Sequence, residues 1–259
     1  MLIIMKFGVL IFNDEASQNV LKYLGDLPSN AKIYHIDSPK EHTCVYCENV
    51  DEGMDADILL FITTHNSASG VKSLSLHTQG NWGKAELGGN EKELGVAPAL
   101  YLKEGFKKLV ELCDIPDYDV IQECTHHGPS VGKPVVFIEI GSSEKEWGIK
   151  RAGEINAAVI KHLVSLDLKK GRTAVGIGGP HHTPNFRKIQ LNTNIAIGHV
   201  CPMYNLENLD ATMLRQALDK TFPPADLVII DWKGLKSHKE KVKAVCEEVG
   251  VEWKKTKDY

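Results

Sequence analysis

Val135-Val-Phe-Ile-Glu-Ile140 and Leu227-Val-Ile-Ile230 are almost unbroken apolar runs, and they decide the fold class. A strand with one face in water alternates apolar and polar residues. A run without alternation is covered on both faces, as in sheets packed between helices. Working outward, β-rich stretches recur at residues 3–12, 31–36, 57–63, 73–77, 118–124, 173–178 and 194–200, and the two quoted runs extend to strands over 135–141 and 227–231. Helical stretches lie between them. Pro98 suits a first helical turn, where its missing N–H costs nothing, and the helix continues through Val110. Ser143 and Glu146 have capping-box spacing ahead of a long amphipathic segment ending near Leu166. Residues 208–220 and 237–249 supply two more helices. This alternation predicts an α/β protein, a three-layer α/β/α sandwich around a mixed, mostly parallel sheet. No repeat or linker divides the chain, so a single α/β domain over 1–259 is expected, with a Gly-rich excursion at 66–95.

Composition narrows the class. The 259 residues are 42% apolar and 25% charged, as in a globular protein and unlike a disordered one. No stretch approaches the roughly 20 apolar residues of a membrane span. The apolar opening from Met1 to Phe12 lacks a basic leader and a cleavage site and reads as a buried strand. Six cysteines in a chain of this length are no disulfide framework, which points to a reducing cytoplasm. Thirty basic against 34 acidic residues, a net of −4, argues against a generally cationic nucleic-acid binder. The charge is uneven: residues 233–259 hold eight lysines and five acids, a net of +3, so the rest of the chain carries −7. A polyanion would have to dock on local patches such as this segment, Lys169-Lys170-Gly171-Arg172 or Arg187-Lys188.

Four strands run into clusters of histidine, glycine and hydroxyl residues: Thr63-Thr-His65-Asn-Ser-Ala-Ser-Gly70, Leu76-His77-Thr-Gln-Gly-Asn-Trp-Gly83, Gln122-Glu-Cys-Thr-His-His-Gly-Pro129 and Gly178-Gly-Pro-His-His-Thr-Pro184. With His199, seven of the eleven histidines fall at such junctions: His65, His77, His126, His127, His181, His182 and His199. Open α/β sheets place ligands beyond strand carboxyl ends, where residues distant in sequence converge. Imidazole relays protons near neutral pH and is the commonest metal ligand. Glu123 and Glu139 interrupt apolar strands, and a carboxylate there pairs with a base, binds a metal or faces solvent. Imidazole and carboxylate ligands suit zinc, although neither His-Glu-x-x-His nor a tandem Cys-x-x-Cys is present. Cys44-Val-Tyr-Cys47, with His42 before it, stands alone. No Gly-Lys-Ser/Thr follows the glycines and Gly176-Ile-Gly-Gly179 is no dinucleotide fingerprint, so no nucleotide cofactor is expected. Ser67, Ser69 and Ser130 lie near histidines, but no Gly-x-Ser-x-Gly elbow is present.

Taken together, His65-Asn-Ser-Ala-Ser-Gly70, His77-Thr-Gln-Gly-Asn81 with Trp82-Gly83, Glu123-Cys-Thr-His-His-Gly-Pro129, Phe137-Ile-Glu-Ile-Gly141 with Trp147, and Gly178-Gly-Pro-His181 with Gly198-His199 resemble the D-aminoacyl-tRNA deacylases of the archaeal and plant type. The likeness runs from about residue 61 to 204. One departure is Pro180-His181-His182, where that family more often has glycine, histidine and an aromatic. The resemblance implies a fold like peptidyl-tRNA hydrolase and the nucleoside phosphorylases, and hydrolysis of the ester joining a D-amino acid to the 3′ end of tRNA. It also implies zinc, one or two ions per chain. The oligomeric state is left open, a monomer being the simplest case.

An aminoacyl ester is already activated, so a positioned water and an oxyanion site suffice. On this reading His126 and His127, with Glu123 or Glu139, orient or metallate the water, and His65 or His77 assists the leaving ribose hydroxyl. Ligands to zinc are His126, His127 and His181. The substrate is held by Ser67, Ser69, Gly70, Gly80, Asn81, Gly83, His181 and His199, with Gly70, Gly80, Asn81 and Gly83 as a backbone wall too close for one enantiomer's side chain. Rival readings are a metal-dependent amidase or peptidase, a phosphorylase-like enzyme on small substrates, and a noncatalytic RNA-binding module.

Overall fold

A computed structural model describes residues 5–38, 44–168 and 170–259; the first residues of the expected opening strand, His42 and Lys169 lie outside the described residues. The chain runs β1 (Phe7–Phe12), α1 (Glu15–Leu24), β2 (Ala31–Ile36), β3 (Ile58–Asn66), β4 (Ser73–His77), β5 (Ala97–Pro98), α2 (Ala99–Leu112), β6 (Asp119–Gln122), β7 (Val135–Ser142), α3 (Glu144–Trp147), α4 (Lys150–Val164), β8 (Arg172–Ile177), α5 (Arg187–Asn192), β9 (Ile195–Cys201), α6 (Ala211–Asp219), β10 (Thr221–Phe222), β11 (Leu227–Ile230), α7 (Lys239–Val249) and β12 (Glu252–Lys255). Every β-rich stretch of the sequence forms a strand. The short β5 and β10 and the polar β12 carry no apolar run to announce them. Ser143 does close a capping box with Glu146, but the expected long helix breaks at Gly148 and Ile149 into α3 and α4.

The α/β class and the mostly parallel pairing hold, with a correction to the layers. The strands form not one sheet but a six-stranded sheet ordered β2-β1-β3-β7-β4-β6, a four-stranded sheet ordered β12-β11-β8-β9, and the pair β10-β5. Only β4 against β7 is antiparallel among the strand pairings of the described residues. Helix α2 packs against both large sheets, through β4 and β9.

The six-stranded sheet explains where polar chemistry collects. Val136, Ile138 and Ile140 of β7 point to one face with Ile58, Leu60 and Ile62 of β3 and with Leu74 and Leu76 of β4, into a core closed by α1, α2 and α4. The alternate residues point the other way. There Leu59, Phe61, Val135 and Phe137 pack under the 44–56 segment with Cys44, Cys47 and Val131. Coil rather than helices covers this second face, so the sandwich is incomplete on it. Farther along the same face the residues turn polar: Thr63 and His65 on β3, Glu139 on β7, Ser75 and His77 on β4. The smaller sheet is covered by α6 and α7 on one face and by Phe186 and Ile189 on the other.

Candidate active site

Two buried carboxylates organise the polar face. Glu139, in the middle of β7, has Oε2 at 3.3 Å from His65 Nδ1 and Oε1 at 3.4 Å from His77 Nε2, and Ser75 Oγ donates to Oε2 at 3.4 Å. Glu123, directly after β6, takes a hydrogen bond from His181 Nε2 at 2.8 Å and lies 3.3 Å from His65 Nδ1 and 3.6 Å from His126 Nε2. His65 therefore bridges the two acids. Its ring fits only because Gly141, its partner on β7, lacks a side chain: a Cβ there would lie 2.7 Å from His65 Cδ2. The cluster joins His65, His77 and Glu139 on the sheet face to Glu123, His126, His127 and His181 from the loops just beyond the carboxyl ends of β6 and β8.

Backbone carbonyls set the tautomers of three histidines. His77 Nδ1 donates to Thr78 O at 3.1 Å, His126 Nδ1 to Cys124 O at 2.9 Å, and His127 Nδ1 to Gly128 O at 2.6 Å. Of their Nε2 atoms, that of His77 faces Glu139 Oε1 at 3.4 Å and that of His126 faces Glu123 Oε2 at 3.6 Å, and the three rings pack at centroid separations of 4.3, 4.8 and 4.3 Å. His77 also stacks on Phe137 at 4.7 Å. Metal-binding histidines are oriented by such carbonyl contacts. His181 differs, because Nδ1 faces Tyr204 Oη at 2.9 Å and Cys124 Sγ at 3.4 Å while Nε2 is on Glu123.

Electrostatics separates the imidazoles into two sets. Burial pushes His127 down to about 4, and burial with the neighbouring rings of His127 and His77 pushes His126 well below its ordinary value, so both are neutral bases at pH 7. Burial also lowers His65, but hydrogen bonding to Glu139 and the charge of Glu123 more than offset it, raising it to about 9. For His181 burial is likewise outweighed, here by contacts with Cys124 and Glu123, and the ring is raised to about 10. Burial acts to raise both carboxyls; imidazole partners overcome it, chiefly His181 and His65 at Glu123, held well below the carboxylate range, and His77 and His65 at Glu139, brought to about 2. Neutral bases and protonated acids thus face each other across ionised carboxylates, the split that acid–base chemistry needs.

These groups open into a cavity of about 1350 Å³ whose lining includes His65, His126, His127, Glu139, His181 and His182. Ser67 and Ser69 line it, their hydroxyls 2.9 Å apart. His77 is fully buried and lies behind the cavity wall, out of reach of a leaving hydroxyl. Other expected substrate contacts lie elsewhere. Gly80 packs on the backbone of Leu94 and Gly95, Gly83 against Asn208, and Asn81 braces the 81–90 loop through Gly88 O and Asn90 O. His199 is buried between Thr125 Oγ1 and Gly95 O, each at 3.1 Å. Gly70 ends the serine turn with open space beside it. Gly80, Asn81 and Gly83 of the expected wall are therefore packed within the structure, while Gly70 is open on its Cα side. Cys124 and Tyr204 are additions: the cysteine lies inside the Glu123–His127 motif, while nothing in the sequence around Tyr204 announces it. Thr63 and Ser75 could have been found from their two-residue spacing to His65 and His77.

Three groups among the described residues bring ligand atoms within 4.8 Å of one another: His77–His126–His127, Cys124–His126–His181 and His65–Glu123–Glu139. His77 Nε2 and Glu123 Oε1 are buried without a hydrogen-bond partner. Unsatisfied buried acceptors on converging ligands are what a cation would satisfy, so the donor set fits a metal. Cys44 and Cys47 belong instead to the apolar cluster under the 44–56 segment, and burial raises both thiols.

Comparison with known proteins agrees with this geometry. The family model described as D-aminoacyl-tRNA deacylase matches residues 52–254. A D-aminoacyl-tRNA deacylase of Thermococcus kodakarensis is 39% identical over 204 residues, 78% of this chain and 74% of that protein. One of Pyrococcus furiosus is 36% identical over 199 residues, 76% and 73% of the two chains. The crystal structure of a conserved protein of unknown function superposes with a TM-score of 0.88 at 30% identity, covering 98% of this chain and 96% of the other. With its motifs on one polar sheet face and this match over most of its length, the chain belongs to the D-aminoacyl-tRNA deacylase family.

Proposed function

We propose that the protein hydrolyses the ester between a D-amino acid and the 3′ end of tRNA, releasing both. The observation that carries the reading is geometric: His65, His126, His127, Glu139 and His181 share one cavity, and buried Glu123 and Glu139 lie within 3.3 Å of His65, with Glu123 2.8 Å from His181. This arrangement favours protonated His65 and His181 beside neutral His126 and His127. A water at His127 Nε2, with His126 beside it, gives its proton to that nitrogen as its oxygen attacks the ester carbonyl. Protonated His65 donates to the departing ribose hydroxyl, and Glu139 holds His65 in place. The Asn66–Ser69 turn, on the cavity wall next to His65, takes over from the displaced glycines as the surface that tells D from L. With zinc bound, His77, His126 and His127 would hold it through these same nitrogens, and their part in activating the water would pass to the ion; Cys124, His126 and His181, once His181 has given up its proton, would offer a second group. When bound, zinc supplies Lewis-acid polarisation and a water of lowered pKa. The free thiols of all six cysteines support a reducing, cytoplasmic setting, and we take one chain as the working unit.

His127→Ala and Glu139→Gln should each lower the rate of D-tyrosyl-tRNA hydrolysis by about 100-fold or more, while L-tyrosyl-tRNA stays intact with every variant. Wild-type rates in both variants would remove the site assignment. Loss of activity in a chelator, with recovery on adding zinc, checks the metal.

A further inference from the structure

The C-terminal segment that carries the local positive charge holds two lysines over a stacked pair of tryptophans. Trp232 and Trp253 stack with centroids 5.9 Å apart and planes 4° apart. The ammonium of Lys255 lies 4.3 Å and that of Lys239 5.7 Å from the Trp232 ring centre. Neither ammonium has a carboxylate within 4.0 Å among the described residues, whereas Lys243 and Lys254 nearby are paired with Glu240 and Glu252. An ammonium held over an indole is positioned without being neutralised, so its charge remains available to an anion.

This patch is tied to the cavity. Asp231, the residue before Trp232, is buried and accepts from Gly234 N at 3.2 Å and from Asn185 Nδ2 at 2.8 Å. It also abuts Gly179, where a Cβ would lie 3.0 Å from Asp231 Oδ2. Two residues after Gly179 the chain enters the cavity at His181; two residues after Asn185, Arg187 lines it, with exposed Lys188 next. Asp231 thus ties the segment that carries the tryptophan–lysine patch to the histidine-bearing loop and to the loop that leads to Arg187-Lys188.

Resting on the deacylase reading, we propose that Lys239 and Lys255, held on the Trp232–Trp253 stack, form the docking surface for the phosphate backbone of the substrate's acceptor stem, delivering its 3′ end to the cavity. Charge complementarity favours this partner: the 233–259 segment is net +3 on a chain of net −4, so a polyanion is drawn to it over the rest of the chain.

The test uses the full-length protein, uncharged tRNA for binding, and D-tyrosyl-tRNA and D-tyrosyl-adenosine as substrates with and without a stem. For Lys239→Ala/Lys255→Ala, the Kd for uncharged tRNA should rise tenfold or more, and the slope of log Kd against log salt should flatten by about two. The ratio of kcat/KM for D-tyrosyl-tRNA to that for D-tyrosyl-adenosine should fall at least tenfold. Lys239→Arg/Lys255→Arg should restore most of the binding. Lys6→Ala/Lys150→Ala removes the same charge elsewhere, where the lysines pair with Asp55 and Glu154, and should leave the Kd within twofold. An unchanged Kd and salt slope in the first variant, as expected if the patch serves a protein partner or none, overturns the proposal, as does an equal loss in the control pair. If wild-type protein binds tRNA through the patch but cleaves neither ester, the deacylase reading fails while the surface stands.

Discussion

Gly141 has no side chain because His65 occupies the space above it, and the consequence is measurable. Gly141→Ala puts a methyl 2.7 Å from His65 Cδ2, so the ring must leave its place between Glu123 and Glu139. Overpacking of this kind costs about 1–3 kcal/mol. We expect deacylation to fall tenfold or more in a protein that still unfolds cooperatively, checked by single-turnover rates and thermal melts. Lys103 is a second residue whose role is local. Its buried ammonium donates to Gln190 O at 2.7 Å, Thr193 O at 2.6 Å and Ile195 O at 3.0 Å, closing the carboxyl end of α5 and the entry to β9. Lys103→Met leaves three carbonyls without their donor and should destabilise the protein by about 3 kcal/mol, read from denaturant midpoints, with little change in the ester-cleaving chemistry.

At the scale of elements, the two-residue repeat of β3, β4 and β7 does the sorting. One set of alternate residues is aliphatic and is closed by helices; the other runs from aromatic to ionisable along the same strands. A register slip of one residue would exchange the sets and bury the acids in the helical core. The helical layer needs close approach too. Gly153 of α4 lies against Asn19 of α1, whose Nδ2 donates to Trp147 O and Ile149 O at 2.9 Å each, across the α3–α4 break. A Cβ on Gly153 would meet Asn19 Oδ1 at 2.7 Å. Alanine is the better helix former by about 1 kcal/mol, yet Gly153→Ala should be net destabilising by about 1–2 kcal/mol, because it pushes Asn19 off both carbonyls. A gain in melting temperature would contradict this packing.

For the molecule as a whole, folding holds neutral those buried imidazoles that have no carboxylate partner, His199 among them. His199 lies fully buried in β9, and burial lowers it to about 3 from an ordinary 6.5. Below pH 6.5 the unfolded chain takes up this proton and the native protein does not, so stability falls as pH drops from about 6.5 toward 3. The slope from this one group approaches about 1.4 kcal/mol per pH unit. His199→Gln should lower stability at pH 7 through lost contacts while flattening the decline into acid, measured by urea unfolding at a series of pH values. Equal slopes in both proteins would mean that His199 is already protonated in the fold.

Much of this could be read from residue order alone. Continuous apolar runs specify strands covered on both faces, and histidines and acids that interrupt them mark the chemistry, because burying such groups without a purpose is costly. Glu123 and Glu139 were identifiable for that reason, and His65, His126, His127 and His181 by their clustering with glycine and hydroxyl residues where strands end. Their mutual placement was not: Glu139 meets His77 because β4 runs antiparallel to β7, and nothing local in either strand encodes the direction of its neighbour. The same holds for Gly80, Asn81 and Gly83, whose composition suits a ligand wall but whose contacts are with their own excursion, with Asn208 and, through Gly80 N, with the His127 carbonyl at 2.8 Å. Sequence by itself determined which residues must be buried, and hence the α/β class and the chemical inventory. Only the tertiary structure decided which of them share a cavity, which imidazoles hold a proton and which carboxylate each one meets, since those depend on distances and desolvation set by chain segments far apart in order.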